Sequence, residues 1–290
     1  MRVGVALGGG SARGYAHIGA ISVLEKHGFT PSVIAGTSFG AVVGAMYASG
    51  QTCEEMRRNS SQIRSRELIP QITDFGLHKA ALFSGEKLEA YFDSLVDGRH
   101  FSDLKKELVV VATDVDTGER VLLNKGSLAK ALRASASMPG IFAPVEIDGR
   151  RLVDGGLGSP VPLETLETLN VDLAIGIGAG TTGDQSGTIR RTQKFLKSEF
   201  GKKLHNKLHN TVDKRPLPSL GRTLAYTANT YLREHSNEGL QVHTNPPIKW
   251  LHFHKAEQAI LAGERALEAF IPKIIQALQG RTPALAVAGD

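Results

Sequence analysis

Three features are missing from this chain of 290 residues: long apolar runs, paired cysteines and internal repeats. No window approaches the ~20 apolar residues of a membrane-spanning helix. The opening run Val3 to Leu7 is shorter than the ~7–15-residue core of a signal peptide. The expected location is therefore the cytoplasm, with any membrane contact peripheral to the inner surface. A single cysteine, Cys53, excludes an intramolecular disulfide and suits a reducing compartment. It reads as a small residue near a helix start. Aromatic residues are scarce, at 6%, while 41% hydrophobic and 22% charged residues are ordinary for a globular chain with a core of its own.

Positive charge is the one bias, and it is local. The net charge is +5 and the sequence pI about 9.3. Between Gly187 and Arg215, nine basic residues face only Glu199 and Asp213, so this segment carries +7 and the remainder −2. Leu196, Phe200, Leu204, Leu208 and Val212 recur there every four residues, a row that drifts ~40° per step on an α-helix. Lys197 and Lys207 interrupt it. Two readings stand: a solvated helix with an ordinary buried side, and a lid-like or surface-binding segment that meets anionic lipid headgroups. No stacking pattern or known module accompanies the charge, so nucleic acid is not expected as a partner.

Along the chain, short apolar stretches alternate with helical ones. Arg2 to Leu7 reads as a buried strand, Gly8 to Gly14 as a loop, and Tyr15 to His27 as a helix ended by Gly28. Ser32 to Gly36 is a second strand, and Ser38 opens a helix to about Ser49. Gly40, Ala41, Gly44, Ala45 and Ala48 give that helix a small-residue face. Helices are expected over Glu54 to Ser65, over Glu86 to Leu95 with Ser84 as N-cap, and over Leu128 to Ala134. Strands are expected over Glu107 to Ala112, Arg120 to Asn124 and Val171 to Ile177. A hairpin over Val145 to Val153 pivots on Asp148-Gly149. Beyond Gly183 the expectations are a helix over Leu224 to His235, a strand over Lys249 to Phe253, a helix from Gly263 to Leu278 and a disordered tail over 281–290. The alternation predicts an α/β fold with a mostly parallel sheet covered by helices on both faces.

Gly36-Thr37-Ser38-Phe39-Gly40, after a strand and before a helix, has the form of a nucleophile elbow. A serine on such a turn exposes its hydroxyl, and the glycines admit a cramped backbone. Gly8-Gly9-Gly10-Ser11-Ala12-Arg13-Gly14 presents successive backbone N–H groups to an anion. It is not a dinucleotide fingerprint, because Arg13 stands where a small residue is needed. Nor is it a phosphate-binding Walker loop, because Tyr15-Ala16 follows Gly14. An oxyanion hole fits it. Arg13 either adds positive charge or pairs with a carboxylate to fix the loop. The base has several candidates. His205, His209, His235, His243, His252 and His254 all follow Ser38, with His205/His209 at helical spacing and His252/His254 on one face of the expected strand. The other candidate is Asp154, before Gly155-Gly156 at the end of a strand.

In order along the chain, Leu7 to Gly14, Gly36 to Gly40, Ala112-Thr113-Asp114 with Thr117-Gly118, and Ser135 to Pro144 leading to Asp154-Gly155-Gly156 resemble the bacterial patatin-like phospholipases. These include small members related to the neuropathy-target-esterase catalytic domain. Ser11 stands where a fourth glycine is frequent. The resemblance spans about Val3 to Gly178. It implies one domain over 1–280 with a three-layer patatin-like fold, and a Ser38–Asp154 dyad without histidine, metal or cofactor. It also implies Gly8, Gly9, Gly10, Ser11, Arg13 and Gly14 as the oxyanion loop, Gly36 and Gly40 as elbow glycines, and acyl esters of phospholipids or lysophospholipids as substrates. A carboxylesterase or thioesterase acting on soluble esters, and a regulatory binding protein that keeps the site, are the alternatives.

Overall fold

The computed structural model describes residues 1–63, 65–74, 81–180 and 239–279. The basic segment 187–215, the expected helix over 224–235 and the tail 281–290 lie outside these residues.

The strands β1 (Val3–Leu7), β2 (Pro31–Thr37), β4 (Glu107–Asp114) and β9 (Leu173–Gly178) form the centre of one eight-stranded sheet. Their apolar runs are continuous because both faces are covered. Val3, Val5 and Leu7 of β1 join Ile34, Leu173, Ile175 and Ile177 in the larger core, while Ala6, Val33 and Ala35 turn the other way onto Leu163 and Leu166. Helix α7 (Leu163–Glu167) supplies that second face. The first face carries α1 (Ala16–Lys26), α2 (Phe39–Ala48) and the long α8 (Ala256–Gln279). The fold is thus α/β with three layers, as expected.

The sheet is parallel only in part. From β10 (Leu240–His243) through β9, β1 and β2 to β4, neighbouring strands run parallel. Strands β5 (Arg120–Leu123), β7 (Val145–Ile147) and β8 (Arg150–Asp154) are antiparallel to their neighbours. Asp148 and Gly149, both at positive φ, turn the β7–β8 hairpin at the expected place.

One edge of β4 is shared. Strand β5 pairs along Val110 to Thr113 on one side of β4. On the other side Thr37 of β2 is opposite Val111, and the next position, Ala112, is opposite Asp154 of β8. β2 therefore ends where β8 arrives from the opposite direction. This hand-over brings residues 38 and 154 together across 116 positions of sequence.

Elsewhere the structure corrects the sequence reading. Helix α3 (Cys53–Ser61) starts one residue early because Thr52 and Glu55 close a capping box, and it stops before a separate α4 (Ser65–Ile72). Helix α5 (Glu86–Leu95) is preceded by Gly85 at φ 88 as the N-cap residue, one position after the expected Ser84, whose hydroxyl still accepts from the Glu86 N–H at 3.2 Å. The Asp74 carboxylate also accepts from the N–H groups of Gly85 and Glu86, at 3.1 and 3.0 Å, and from the Ser84 hydroxyl. A two-stranded parallel sheet of β3 (Ala81–Phe83) and β6 (Gly140–Phe142) was not foreseen. Helix α6 (Leu128–Ala136) matches its expectation. The strand expected over 249–253 is a turn leading into a 3₁₀ segment, Phe253–Lys255. Phe253 there packs on Tyr15 and Phe39, the Trp250 carbonyl accepts from the Ala12 N–H, and among the described residues the edge of the sheet on that side is β10. Helix α8 begins well before Gly263, which marks a helix crossing and not a helix start. A Cβ there would lie 1.9 Å from the Ala16 carbonyl oxygen, and one on Gly19 would lie 2.1 Å from that of Ile260.

Candidate active site

Ser38 occupies the turn between β2 and α2 with φ 52 and ψ −126. For a residue with a Cβ this conformation costs on the order of 1–3 kcal/mol, and it persists only where the surroundings hold it. The flanking glycines are demanded by close packing. A Cβ on Gly36 would lie 2.5 Å from Ala41 Cα, and one on Gly40 would lie 2.2 Å from the Leu7 carbonyl oxygen. The small face of α2 thus lets the turn sit directly against the end of β1.

The Ser38 hydroxyl donates to Asp154 Oδ2 at 2.8 Å. Asp154 is only 9% exposed. Its Oδ1 accepts from the Gly156 N–H at 2.8 Å, and its own N–H donates to the Ser137 carbonyl at 2.9 Å. Burial pushes the carboxyl up to about 6, against the opposing pull of the Gly156 N–H and the Ser38 hydroxyl. A carboxylate with a pKa near neutrality is a much better acceptor for a hydroxyl proton than a solvated aspartate.

The glycine loop lies over Ser38, and a Cβ on Gly9 would be 3.4 Å from Ser38 Cβ. Its N–H groups do not all face the site. Gly8 donates to the Ile177 carbonyl at 2.9 Å, Gly9 to Pro160 at 3.0 Å, Ala12 to Trp250 at 2.9 Å and Arg13 to Gly10 at 3.1 Å. The expectation that the whole loop supplies donors narrows accordingly: among the described residues, the N–H groups of Gly10 and Ser11 have no protein acceptor. Ser11 adopts φ 51, which explains why glycine suits this position. Gly14 serves packing, since a Cβ there would meet the Phe39 ring at 2.6 Å. Arg13 is half-buried.

Several residues that support the site were not among the expected site residues. His17 is fully buried, which lowers its pKa to about 4, and its Nε2 lies 2.7 Å from the Gly8 carbonyl oxygen. A carbonyl only accepts, so the neutral ring donates from Nε2 and tethers the loop. A histidine inside an apolar helix was the available clue. Ser135 donates to the Val111 carbonyl at 2.6 Å and accepts from the Ser38 N–H at 2.8 Å. Tyr15, Phe39 and Phe253 form an aromatic cluster, with Tyr15 edge-on to Phe39 at 4.8 Å and Phe253 at 6.0 Å from Phe39.

The histidines are placed elsewhere. His252 and His254 sit in the turn before α8 with ring centroids 5.3 Å apart, and not on a strand. His243 ends β10, with Nε2 at 3.3 Å from Gln241 Nε2. His205, His209 and His235 lie outside the described residues. Among the described residues no group of three or more His, Cys, Asp or Glu side chains is arranged to hold a metal ion, and no helix is long and apolar enough to cross a membrane.

The chain is similar to several known proteins. A protein from Mycobacterium tuberculosis (strain H37Rv), described as an uncharacterised NTE family protein, is 35% identical over 199 residues, or 69% of this chain and 54% of that one. A patatin-like phospholipase domain-containing protein of Caenorhabditis elegans is 30% identical over 183 residues, covering 62% of this chain and 14% of that one. The chain thus spans about half the length, or less, of these curated relatives. The crystal structure of VipD from Legionella pneumophila shares the fold, with a TM-score of 0.51 at 14% identity over 94% of this chain and 67% of that one. The sequence model of the patatin-like phospholipase family matches residues 5–167, and the chain belongs to that family.

Proposed function

We propose that this protein is a lipid acyl hydrolase that cleaves acyl esters of phospholipids or lysophospholipids through Ser38 and Asp154. The observation that carries the reading is the 2.8 Å hydrogen bond from the Ser38 hydroxyl to a buried carboxylate. Asp154 accepts the hydroxyl proton as Ser38 Oγ bonds to the ester carbonyl carbon. The carbonyl oxygen becomes an oxyanion, which the N–H groups of Gly10 and Ser11 and the N-terminus of α2 are positioned to stabilise. Collapse of that intermediate expels the alcohol, which takes the proton from Asp154, and leaves an acyl-Ser38 ester. Asp154 then deprotonates a water that attacks the acyl ester, releasing the fatty acid and restoring the Ser38 hydroxyl. Neither a metal nor a cofactor enters these steps. The basic segment 187–215 is assigned to contact with anionic lipid, and neutralising Lys202, Lys203 and Lys207 should weaken binding to anionic vesicles.

A fluorophosphonate ester probe followed by peptide mapping tests the nucleophile, with modification expected at Ser38. Ser38→Ala and Asp154→Asn should each abolish hydrolysis of a long-chain lysophospholipid in folded protein. Wild-type turnover by Asp154→Asn would remove the dyad. Faster hydrolysis of short soluble esters than of lysophospholipid would assign the site to a carboxylesterase instead.

A further inference from the structure

We infer that Ser135 is a positioning residue that holds the nucleophile in its reactive backbone conformation, an inference that rests on the hydrolase reading above. The reason lies in the shared edge of β4. Where β2 leaves that edge and β8 joins it, the ladder is interrupted between Val111 and Ala112. Ser135, near the C-terminus of α6 and fully buried, reaches into the break. Its hydroxyl proton goes to the Val111 carbonyl oxygen at 2.6 Å, and its oxygen takes the Ser38 N–H at 2.8 Å. One hydroxyl thus stands in for the missing rung and satisfies two backbone groups with a single side chain.

The second of these bonds matters for chemistry. Ser38 sits at φ 52 and ψ −126, where nothing intrinsic to a serine holds it. Its N–H direction fixes the rotation of its peptide plane, and hence where Cβ and Oγ point. The 2.8 Å bond from Oγ to Asp154 Oδ2 depends on that direction. The same bond also assigns the donors, because the Ser38 N–H is directed at Ser135. Oxyanion stabilisation is left to the N–H groups of Gly10 and Ser11 among the loop donors. No other side chain hydrogen-bonds the Ser38 N–H among the described residues.

A misplacement of about 1 Å at a reacting atom is enough for a loss on the order of 100-fold in rate. The test compares Ser135→Ala and Ser135→Thr with wild-type protein and with Ser60→Ala, at a buried serine of α3 whose hydroxyl donates to the Arg57 carbonyl. Hydrolysis of a lysophospholipid, fluorophosphonate labelling at Ser38 and thermal melting are measured across pH. Ser135→Ala should lower kcat on the order of 100-fold with KM within about twofold, and slow labelling in parallel. Its pH midpoint should move upward, because the Ser38 hydroxyl helps hold the Asp154 carboxyl down and a displaced hydroxyl no longer does. Ser135→Thr, which keeps the hydroxyl, should recover most of the rate, while Ser60→Ala should lose stability without losing turnover.

Wild-type kcat in Ser135→Ala overturns the inference, as does a loss of rate with an unmoved pH midpoint. A folded Ser135→Thr that is as slow as Ser135→Ala overturns it too. If the threonine variant does not fold, the pH profile and labelling rate of Ser135→Ala decide alone. The two levels of the argument fail separately. Hydrolysis retained by Ser38→Ala removes the reading of the site, whereas an inactive Ser38→Ala beside a fully active Ser135→Ala removes only the role of Ser135.

Discussion

Asp154 accounts for most of the pH behaviour expected at the residue scale. Its carboxyl is raised to about 6 by burial, so hydrolysis should fall as the pH drops through that value, a shift visible in a pH–kcat profile between about pH 4.5 and 8. Stability runs the other way. The folded state holds this proton more tightly than the unfolded chain, whose carboxyl titrates near ~3.9. The protonated group therefore favours the fold most at low pH, and that contribution is lost as the pH rises through about 6. The charged form then costs about 3 kcal/mol at neutral pH. Asp154→Asn should be inactive yet melt several degrees higher than wild type at pH 7.5, with the gap closing toward pH 4. An asparagine oxygen can still accept from the Gly156 N–H, so the turn after β8 survives the change. An unchanged or lower melting midpoint at pH 7.5 would contradict the burial argument.

Among the elements, α1 and α8 cross with their backbones in close contact. Gly19 and Gly263 put two helix backbones in direct contact, with Ala16, Ala259 and Ile260 buried beside them. Gly263→Ala would raise intrinsic helix propensity by ~1 kcal/mol. It would also drive a methyl into the Ala16 carbonyl, and overpacking of this kind costs ~1–3 kcal/mol. The expected result is a destabilised protein despite the better helix former, read as a lower midpoint in urea at unchanged slope. The capping of α3 is a smaller effect. Thr52→Ala should remove ~1 kcal/mol by leaving the Glu55 N–H without its acceptor.

At the scale of the whole molecule, the site is closed by a segment far along the chain from Ser38. The family match ends at residue 167, yet the Trp250 carbonyl accepts from Ala12, beside the N–H groups of Gly10 and Ser11, and Phe253 packs on Phe39. Phe253→Ala should loosen the glycine loop and lower kcat about tenfold more than it changes KM. Trp250 is the only tryptophan, so its emission should shift to the red in the same variant. Unchanged emission together with unchanged kcat would show that the loop stands without this support.

Local patterns made much of this legible. The elbow at Ser38, the glycine loop, the Asp148-Gly149 hairpin and the buried central strands each depend on neighbours within a few residues, and propensity and periodicity act over that range. The resemblance chose Asp154 over the histidines across a long gap. Local pattern failed where a residue's conformation answers to a distant partner. Asp74 caps α5 from eleven positions before Gly85, Gly263 serves a crossing, and residues 249–253 turn toward Tyr15 and Phe39 where their composition suggests a strand. By itself the sequence determined the alternation of strands and helices, the glycines and a serine at a sharp turn. Only the tertiary structure decided that β2 and β8 share one edge of β4. Pairing between strands so far apart is settled by the packing of the whole sheet, and that pairing sets Ser38 against a buried Asp154, with Ser135 at the break between β2 and β8.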